Sequence, residues 1–269
     1  MINLIKTFGL VVKPKITKGK GMWNPLNNQV FDSKIYCIRD KDVNCFIIKT
    51  EAGYFAIDSG YMDSKNVRTG LKLFDINPMF VTDVFLTHLD IDHAGGMNKN
   101  SDIVFPNAKI HLSYEEEKYL TGEYSRKTVA GHKCKLPIQL SEYTCFYDND
   151  EIQVSGNIIK TVLAPGHSMG HTAFILNKKY LFSGDCIIAN KNGGYLFYDF
   201  WNQNFDLNKE SANKLKNISA NNVEYVITSH SGILKPNNAF KYIDKSPAWK
   251  QKGFVFCDDA DYDPYSITE

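Results

Sequence analysis

Thr87-His88-Leu89-Asp90-Ile91-Asp92-His93-Ala94-Gly95-Gly96 places four side chains of metal-ligand type within six residues. The stretch follows the apolar run Val84–Leu86, so it reads as leaving the end of a strand. In an extended segment alternate side chains share a side, which lets His88, Asp90 and Asp92 converge. His93 then turns inward as the chain bends, and Gly95 and Gly96 permit the bend. Such a density is too high for chance core packing. Imidazole and carboxylate without thiolate suit zinc, iron, manganese or cobalt.

Three more strand ends carry the same kind of residue. Ile158–Leu163 runs into Ala164-Pro165-Gly166-His167-Ser168-Met169-Gly170-His171. Leu181-Phe182-Ser183-Gly184-Asp185 ends on an acid, and Val226-Ile227-Thr228-Ser229-His230 ends on a histidine. Strand ends converging on ligand-type residues are how α/β sheets build active sites.

These motifs, in this order, resemble the metallo-β-lactamase superfamily, whose signature is T-H-x-H-x-D-H-x-G-G, then P-G-H-S-x-G-H, G-D and S-H. Ile57-Asp58-Ser59-Gly60 is similar to the family's early D-x-G element, so the resemblance runs from Asp58 to His230. It implies an α/β fold, a four-layered αββα sandwich with the metals at one edge. It implies that His88 and His167 bind a first metal, that Asp92, His93 and His230 bind a second, and that Asp185 bridges them. Asp58 supports the site in this scheme, and His171 is structural. The family's second histidine is Asp90 here. A carboxylate can still ligate, but it adds negative charge and hardness. Flavodiiron proteins carry Glu at that position and hold two irons. The implied cofactors are therefore two divalent ions, zinc first, with iron or manganese as alternatives.

The remaining sequence fits a folded enzyme. Of 269 residues, 43% are hydrophobic and 23% charged, and the net charge is +1. That balance excludes a strong whole-chain field for nucleic acid or acidic membrane. No apolar run reaches the ~18–20 residues of a membrane helix. Met1–Lys20 lacks the pattern of a signal peptide and reads as mature protein. Cys37, Cys45, Cys134, Cys145, Cys186 and Cys257 form no C-x-x-C pair and read as reduced thiols of a cytoplasmic protein. Strands are expected at Lys34–Ile38, Cys45–Lys49, Tyr54–Ile57, Val84–Thr87, Lys109–Leu112, Ile158–Leu163, Ala173–Leu176, Tyr180–Ser183 and Tyr225–Thr228. Helices are expected at Asp63–Phe74, at Ser113–Tyr119 capped by Ser113 with Glu116 three residues on, and at Leu207–Ile218 capped by Asp206. One domain over 1–269 is the simplest organisation, and the Asp- and Tyr-rich tail after Ser246 is peripheral to it.

The expected chemistry is hydrolysis of an ester, lactone or related bond in a small molecule by a metal-bridging hydroxide. Asp92, beside that water, passes its proton to the leaving group. The aromatic run Tyr195, Phe197, Tyr198, Phe200 and Trp201 reads as core, or as a pocket wall from which Tyr195 or Tyr198 assists an oxyanion. The P-G-H-S-M-G-H turn is similar to that of N-acyl homoserine lactonases. The alternatives are a non-haem iron oxidoreductase of the same fold and a non-catalytic sensory protein. The aromatic segment Tyr195–Trp201 could serve as the interface of a homodimer.

Overall fold

The computed structural model describes residues 25–127, 132–190 and 192–245, together with Thr7 and Val11. The expectations for Met1–Lys20, for the tail after Ser246 and for Cys257 fall outside those continuous stretches. The first strands are β1 (Gln29–Phe31), β2 (Ile35–Asp40), β3 (Val43–Thr50) and β4 (Gly53–Ile57). Helix α1 (Lys65–Leu73) leads to β5 (Val81–Phe85), β6 (Lys109–Ser113) and α2 (Tyr114–Thr121). The short β7 (Arg126–Lys127) and β8 (Lys133–Cys134) pair with each other before β9 (Tyr143–Phe146). Then come β10 (Glu151–Val154), β11 (Asn157–Leu163), β12 (Thr172–Leu176) and β13 (Tyr180–Phe182). A hairpin of β14 (Ile187–Asn190) and β15 (Gly193–Leu196) precedes α3 (Phe205–Asn222). β16 (Tyr225–Thr228), β17 (Gly232–Leu234) and the short α4 (Pro236–Ala239) follow.

Two mixed sheets result, ordered β1-β2-β3-β4-β5-β6-β9 and β10-β11-β12-β13-β16-β17. β4, β5, β6 and β9 run parallel in the first sheet, and β13 and β16 in the second. The side-chain period of two explains the layering. In β3, Phe46 and Ile48 face the second sheet and pack with Phe174, Phe182 and Ile227. Cys45 and Ile47 face the other way, into the core cluster that also holds Val67 and Leu71 of α1 and Tyr119 of α2. The second sheet repeats the arrangement: Val162, Ile175, Leu181 and Val226 pack under Ala212 and Leu215 of α3. Helix, sheet, sheet and helix thus make the expected four-layered αββα sandwich. Each fully buried side chain of this size contributes about 1.5–3 kcal/mol.

Most expected strands form within a residue or two of their anticipated ends. Val84–Thr87 is the instructive shift. The strand is Val81–Phe85, and the residues after it form a turn in which the His93 and Ala94 amides both bond the Asp90 carbonyl, at 3.0 and 2.9 Å. Convergence of the motif therefore comes from a turn, not from extended alternation. Gly95 and Gly96 also differ from expectation, because neither has a positive φ. Instead, a Cβ on Gly96 would stand 2.2 Å from the Ser59 carbonyl oxygen. Close backbone packing, not the bend, requires glycine there. Ser113 caps α2 as expected, accepting the Glu116 amide at 3.0 Å. The cap of α3 is Asn204, not Asp206: its side chain accepts the Leu207 amide at 3.0 Å, and Asp206 lies in the first turn.

Candidate metal centre

The sandwich opens the site along one edge, where backbone bonds tie the two sheets together. The Thr172 amide of β12 donates to the Thr87 carbonyl at 2.9 Å, and the Asn44 amide of β3 to the Ser229 carbonyl at 2.8 Å. His88, Asp90, Asp92 and His93 leave β5 at this edge, His167 and His171 sit between β11 and β12, Asp185 follows β13, and His230 follows β16. The fold brings all seven expected ligands together. Three groups each have ligand atoms within 4.8 Å of one another: His88, Asp90 and His167; His88, His93 and Asp185; Asp92, His93 and His230.

Asp185 stands between the groups. Its Oδ1 lies 3.4 Å from His93 Nε2 and 3.3 Å from His230 Nε2, while its Oδ2 lies 3.5 Å from His167 Nε2. Asp92 Oδ2 is 3.6 Å from both His93 Nε2 and His230 Nε2. Asp90 Oδ2 is 3.1 Å from His167 Nε2 and 3.6 Å from His88 Nε2. Ligand atoms bound tetrahedrally at the usual zinc distances stand about 3.3 Å apart, so these spacings are those of coordination edges. The hydrogen bonds give the same answer. His88 Nδ1 donates to Thr87 Oγ1 at 3.0 Å, His93 Nδ1 to Asp58 Oδ2 at 2.7 Å, and His230 Nδ1 to the Asp42 carbonyl. Each proton is thereby fixed on Nδ1, and each Nε2 lone pair faces the cluster. His88 Nε2, His93 Nε2 and Asp185 Oδ1 are buried with no hydrogen-bond partner. Buried polar atoms left so are costly, and a cation among them removes the cost. The residues present fit two metal ions.

Asp58 and His171 hydrogen-bond to residues of the cluster. Asp58, left-handed at φ 59°, turns its carboxylate to accept the Thr87 amide, the Thr87 hydroxyl and His93. His171 does not join the groups. It donates Nδ1–H to the Ala164 carbonyl at 3.1 Å and accepts the Asp185 amide on Nε2 at 2.9 Å, so it aims Asp185. Gly184 fits against it: φ is 52°, and a Cβ would meet His171 Nε2 at 2.4 Å. Burial pushes the His171 pKa down to about 3 and keeps the ring a neutral acceptor.

The sequence reading gave no site role to Arg126 or Glu116, and it named Phe197 only within the aromatic run. Arg126, buried on β7, donates from Nη2 to Asp90 Oδ2 at 2.6 Å and from Nη1 to the His167 carbonyl. Burial raises the Asp90 pKa, but the guanidinium beside it wins and holds the carboxyl well below its usual range. Glu116 accepts the Leu89 amide at 2.8 Å, the Ser168 hydroxyl at 2.6 Å and the Gly170 amide at 3.1 Å, joining both ligand loops. Its place three residues after the Ser113 cap was read only as helix capping. Burial pushes its pKa up to about 7 against those donors. Phe197 packs its ring against His167 and His230, with centroids 5.0 and 5.8 Å apart. Tyr195 does not reach the cluster: it stacks on Tyr242 at 5.0 Å. Cys186 is buried and Cys37, Cys45, Cys134 and Cys145 are free thiols, so no disulfide occurs among the described cysteines. No described helix is long and apolar enough to cross a membrane.

Fold, motif order and ligand geometry define a metallo-β-lactamase-type site. The family profile of the metallo-beta-lactamase superfamily matches residues 38–230, and the chain belongs to that superfamily. It is 23% identical over 148 residues to the lactamase-like protein adaB of Aspergillus niger, covering 55% of this chain and 39% of that protein. It is 25% identical over 136 residues to the N-acyl homoserine lactonase AttM of Rhizobium johnstonii, covering 49% of this chain and 48% of that one. The chain thus spans less than half the length of these curated relatives. A mutant metallo-beta-lactamase from Cronobacter sakazakii shares the fold with a TM-score of 0.59 at 16% identity, covering 77% of this chain and 81% of that one.

Proposed function

We propose that this protein is a dinuclear metal-dependent hydrolase acting on an ester, lactone or related bond of a small molecule. The observation that carries the reading is Asp185, whose two carboxylate oxygens face different histidine groups, as a bridging ligand requires. His88, Asp90 and His167 would hold one ion, and Asp92, His93 and His230 the other. When bound, such ions acidify water to a nucleophile near neutral pH and polarise the substrate oxygen. The chain's own residues supply the rest. His88, His93 and His230 are locked as Nε2 donors by Thr87, Asp58 and Asp42. Asp92, in contact distance of His93 and His230, is the group placed to carry a proton from the attacking water to the leaving atom. Phe197 supplies an apolar wall beside His167 and His230 that excludes bulk water. The lactonase AttM among its relatives favours lactones as the first substrates to try.

The test is elemental analysis of protein purified without added metal or chelator, followed by turnover of lactones, thioesters, phosphodiesters and β-lactams. Two equivalents of zinc with turnover that chelation abolishes are expected. Metal-independent turnover, or none on any panel member with both sites filled, overturns the hydrolase reading. Two equivalents of iron with oxygen uptake would replace it with the oxidoreductase.

A further inference from the structure

The two ligand groups are anchored differently. His88, His93 and His230 each have Nδ1 held by a hydrogen bond, whereas His167 Nδ1 is buried without one. Asp90 is the most exposed member of the cluster, with 21% of its side chain accessible. These two loosely determined ligands share one partner. Arg126 Nη2 donates to Asp90 Oδ2 at 2.6 Å, and Nη1 of the same guanidinium donates to the His167 carbonyl. The planar fork of arginine fixes both directions at once, which a lysine or an amide cannot do as well. Arg126 is itself 7% exposed and is held in the same wall as Gln203, whose side-chain amide donates to the Ser125 carbonyl at 2.8 Å and whose backbone N–H donates to the His167 carbonyl at 3.2 Å.

The charges point the same way. The group of His88, Asp90 and His167 contains a carboxylate where the family pattern has a neutral imidazole. Arg126 supplies one positive charge against that one added negative charge. We infer that Asp90 and Arg126 work as a unit standing in for the missing histidine, with Arg126 a positioning residue that makes Asp90 and His167 a competent pair of ligands for the first metal. The inference rests on the dinuclear reading above. Hydrogen-bond partners of metal ligands typically govern affinity by ten- to a hundredfold. Because the second group, Asp92, His93 and His230, has its own anchors in Asp58 and Asp42, the effect is confined to one of the two ions.

The test is stepwise release of Zn²⁺, and separately Co²⁺, from the loaded protein by a competing chromophoric chelator. Wild type, Arg126→Gln, Arg126→Lys, Asp90→Asn and the Arg126→Gln/Asp90→Asn double variant are compared. Thermal unfolding of each loaded variant checks that it folds. The expected result is that Arg126→Gln weakens one equivalent by about ten- to a hundredfold and leaves the other unchanged. Arg126→Lys recovers part of the loss. Asp90→Asn weakens the same equivalent, and the double variant is no weaker than Asp90→Asn alone, because both changes break one unit. The Co²⁺ absorption of that equivalent alone shifts. An unchanged or tighter equivalent in Arg126→Gln overturns the inference, as do losses that add in the double variant. Wild type binding a single equivalent overturns it too, since Asp90 and Arg126 are then only an ion pair. Wild type binding no metal fells the dinuclear reading itself.

Discussion

The two ligand groups of this protein sit a few ångströms apart and are built by opposite means. Asp92, His93 and His230 are buried at 2% exposure or less, and their imidazoles are fixed by Asp58 and by the Asp42 backbone at the ends of sheet strands. Those anchors are part of the framework that holds the sandwich together. Asp90 and His167 have a different common anchor, Arg126, which comes from a two-residue strand outside both main sheets. One half of the site is thus determined by the packed layers and the other by a loop brought over it.

Asp185 is where the comparison breaks most completely, because it belongs to both halves. Asp185→Asn is expected to cut turnover at least a hundredfold and to lower metal content at both groups, measured by elemental analysis alongside initial rates. Loss of one equivalent only would place Asp185 in a single group. Asp58→Ala tests the framework half. It removes the direct anchor of His93 and is expected to weaken the equivalent held by Asp92, His93 and His230 by about ten- to a hundredfold, and to weaken the one Arg126→Gln affects less, since Asp58 reaches that group only through Thr87 and His88. If chelator competition shows both variants acting chiefly on the same ion, the two halves are not independent.

Glu116 joins the His88–His93 loop to the His167–His171 loop and gives a pH-dependent measure of that link. Its folded pKa of about 7 lies above the 4.5 of the free side chain, so the folded protein binds more protons between those values. Its contribution is therefore fully present below pH 4.5 and is lost as pH rises toward 7, by up to about 1.4 kcal/mol per unit. Glu116→Gln has no such equilibrium. Denaturant unfolding of both proteins at pH 5, 6, 7 and 8 should show the wild-type advantage shrinking with pH and levelling off above 7. A difference that grows with pH would mean that the three donors around Glu116 outweigh its burial. The smallest effect is expected from Tyr195→Phe. Its ring stacks on Tyr242 away from the ligands, so turnover should stay within about twofold, whereas Phe197→Ala, beside His167 and His230, should alter KM. A larger loss in Tyr195→Phe would bring its hydroxyl back into the chemistry.

The ligand residues were legible because metal chemistry restricts the residue types so tightly. His88, Asp90, Asp92, His93, His167, Asp185 and His230 are recognisable by type and by their position after apolar strand runs. Asp58 was legible through its D-x-G setting. Arg126 was not, because a lone arginine in a polar loop carries no pattern, and its partners Asp90 and His167 lie 36 and 41 residues away. Glu116 was masked by a second valid reading, as the third residue after a helix cap. The aromatic run 195–201 had the right neighbourhood but not the right residue. The β14–β15 hairpin decides which ring faces the ligand cluster, and that choice depends on packing against Ile188 and Tyr242.

By itself the sequence determined a mix of short strands and a few helices and the chemistry available at its strand ends, while the αββα layering was what the family resemblance implied. Short apolar and β-branched runs favour strands, and clustered imidazoles and carboxylates have few uses besides holding cations. Tertiary structure alone decided the pairing of Arg126 with Asp90, the clamp of Glu116 across two loops and the choice of Phe197 over Tyr195. Each of these depends on side chains distant in sequence meeting at one place. Local propensity carries no information about such meetings until the sheets have closed on each other.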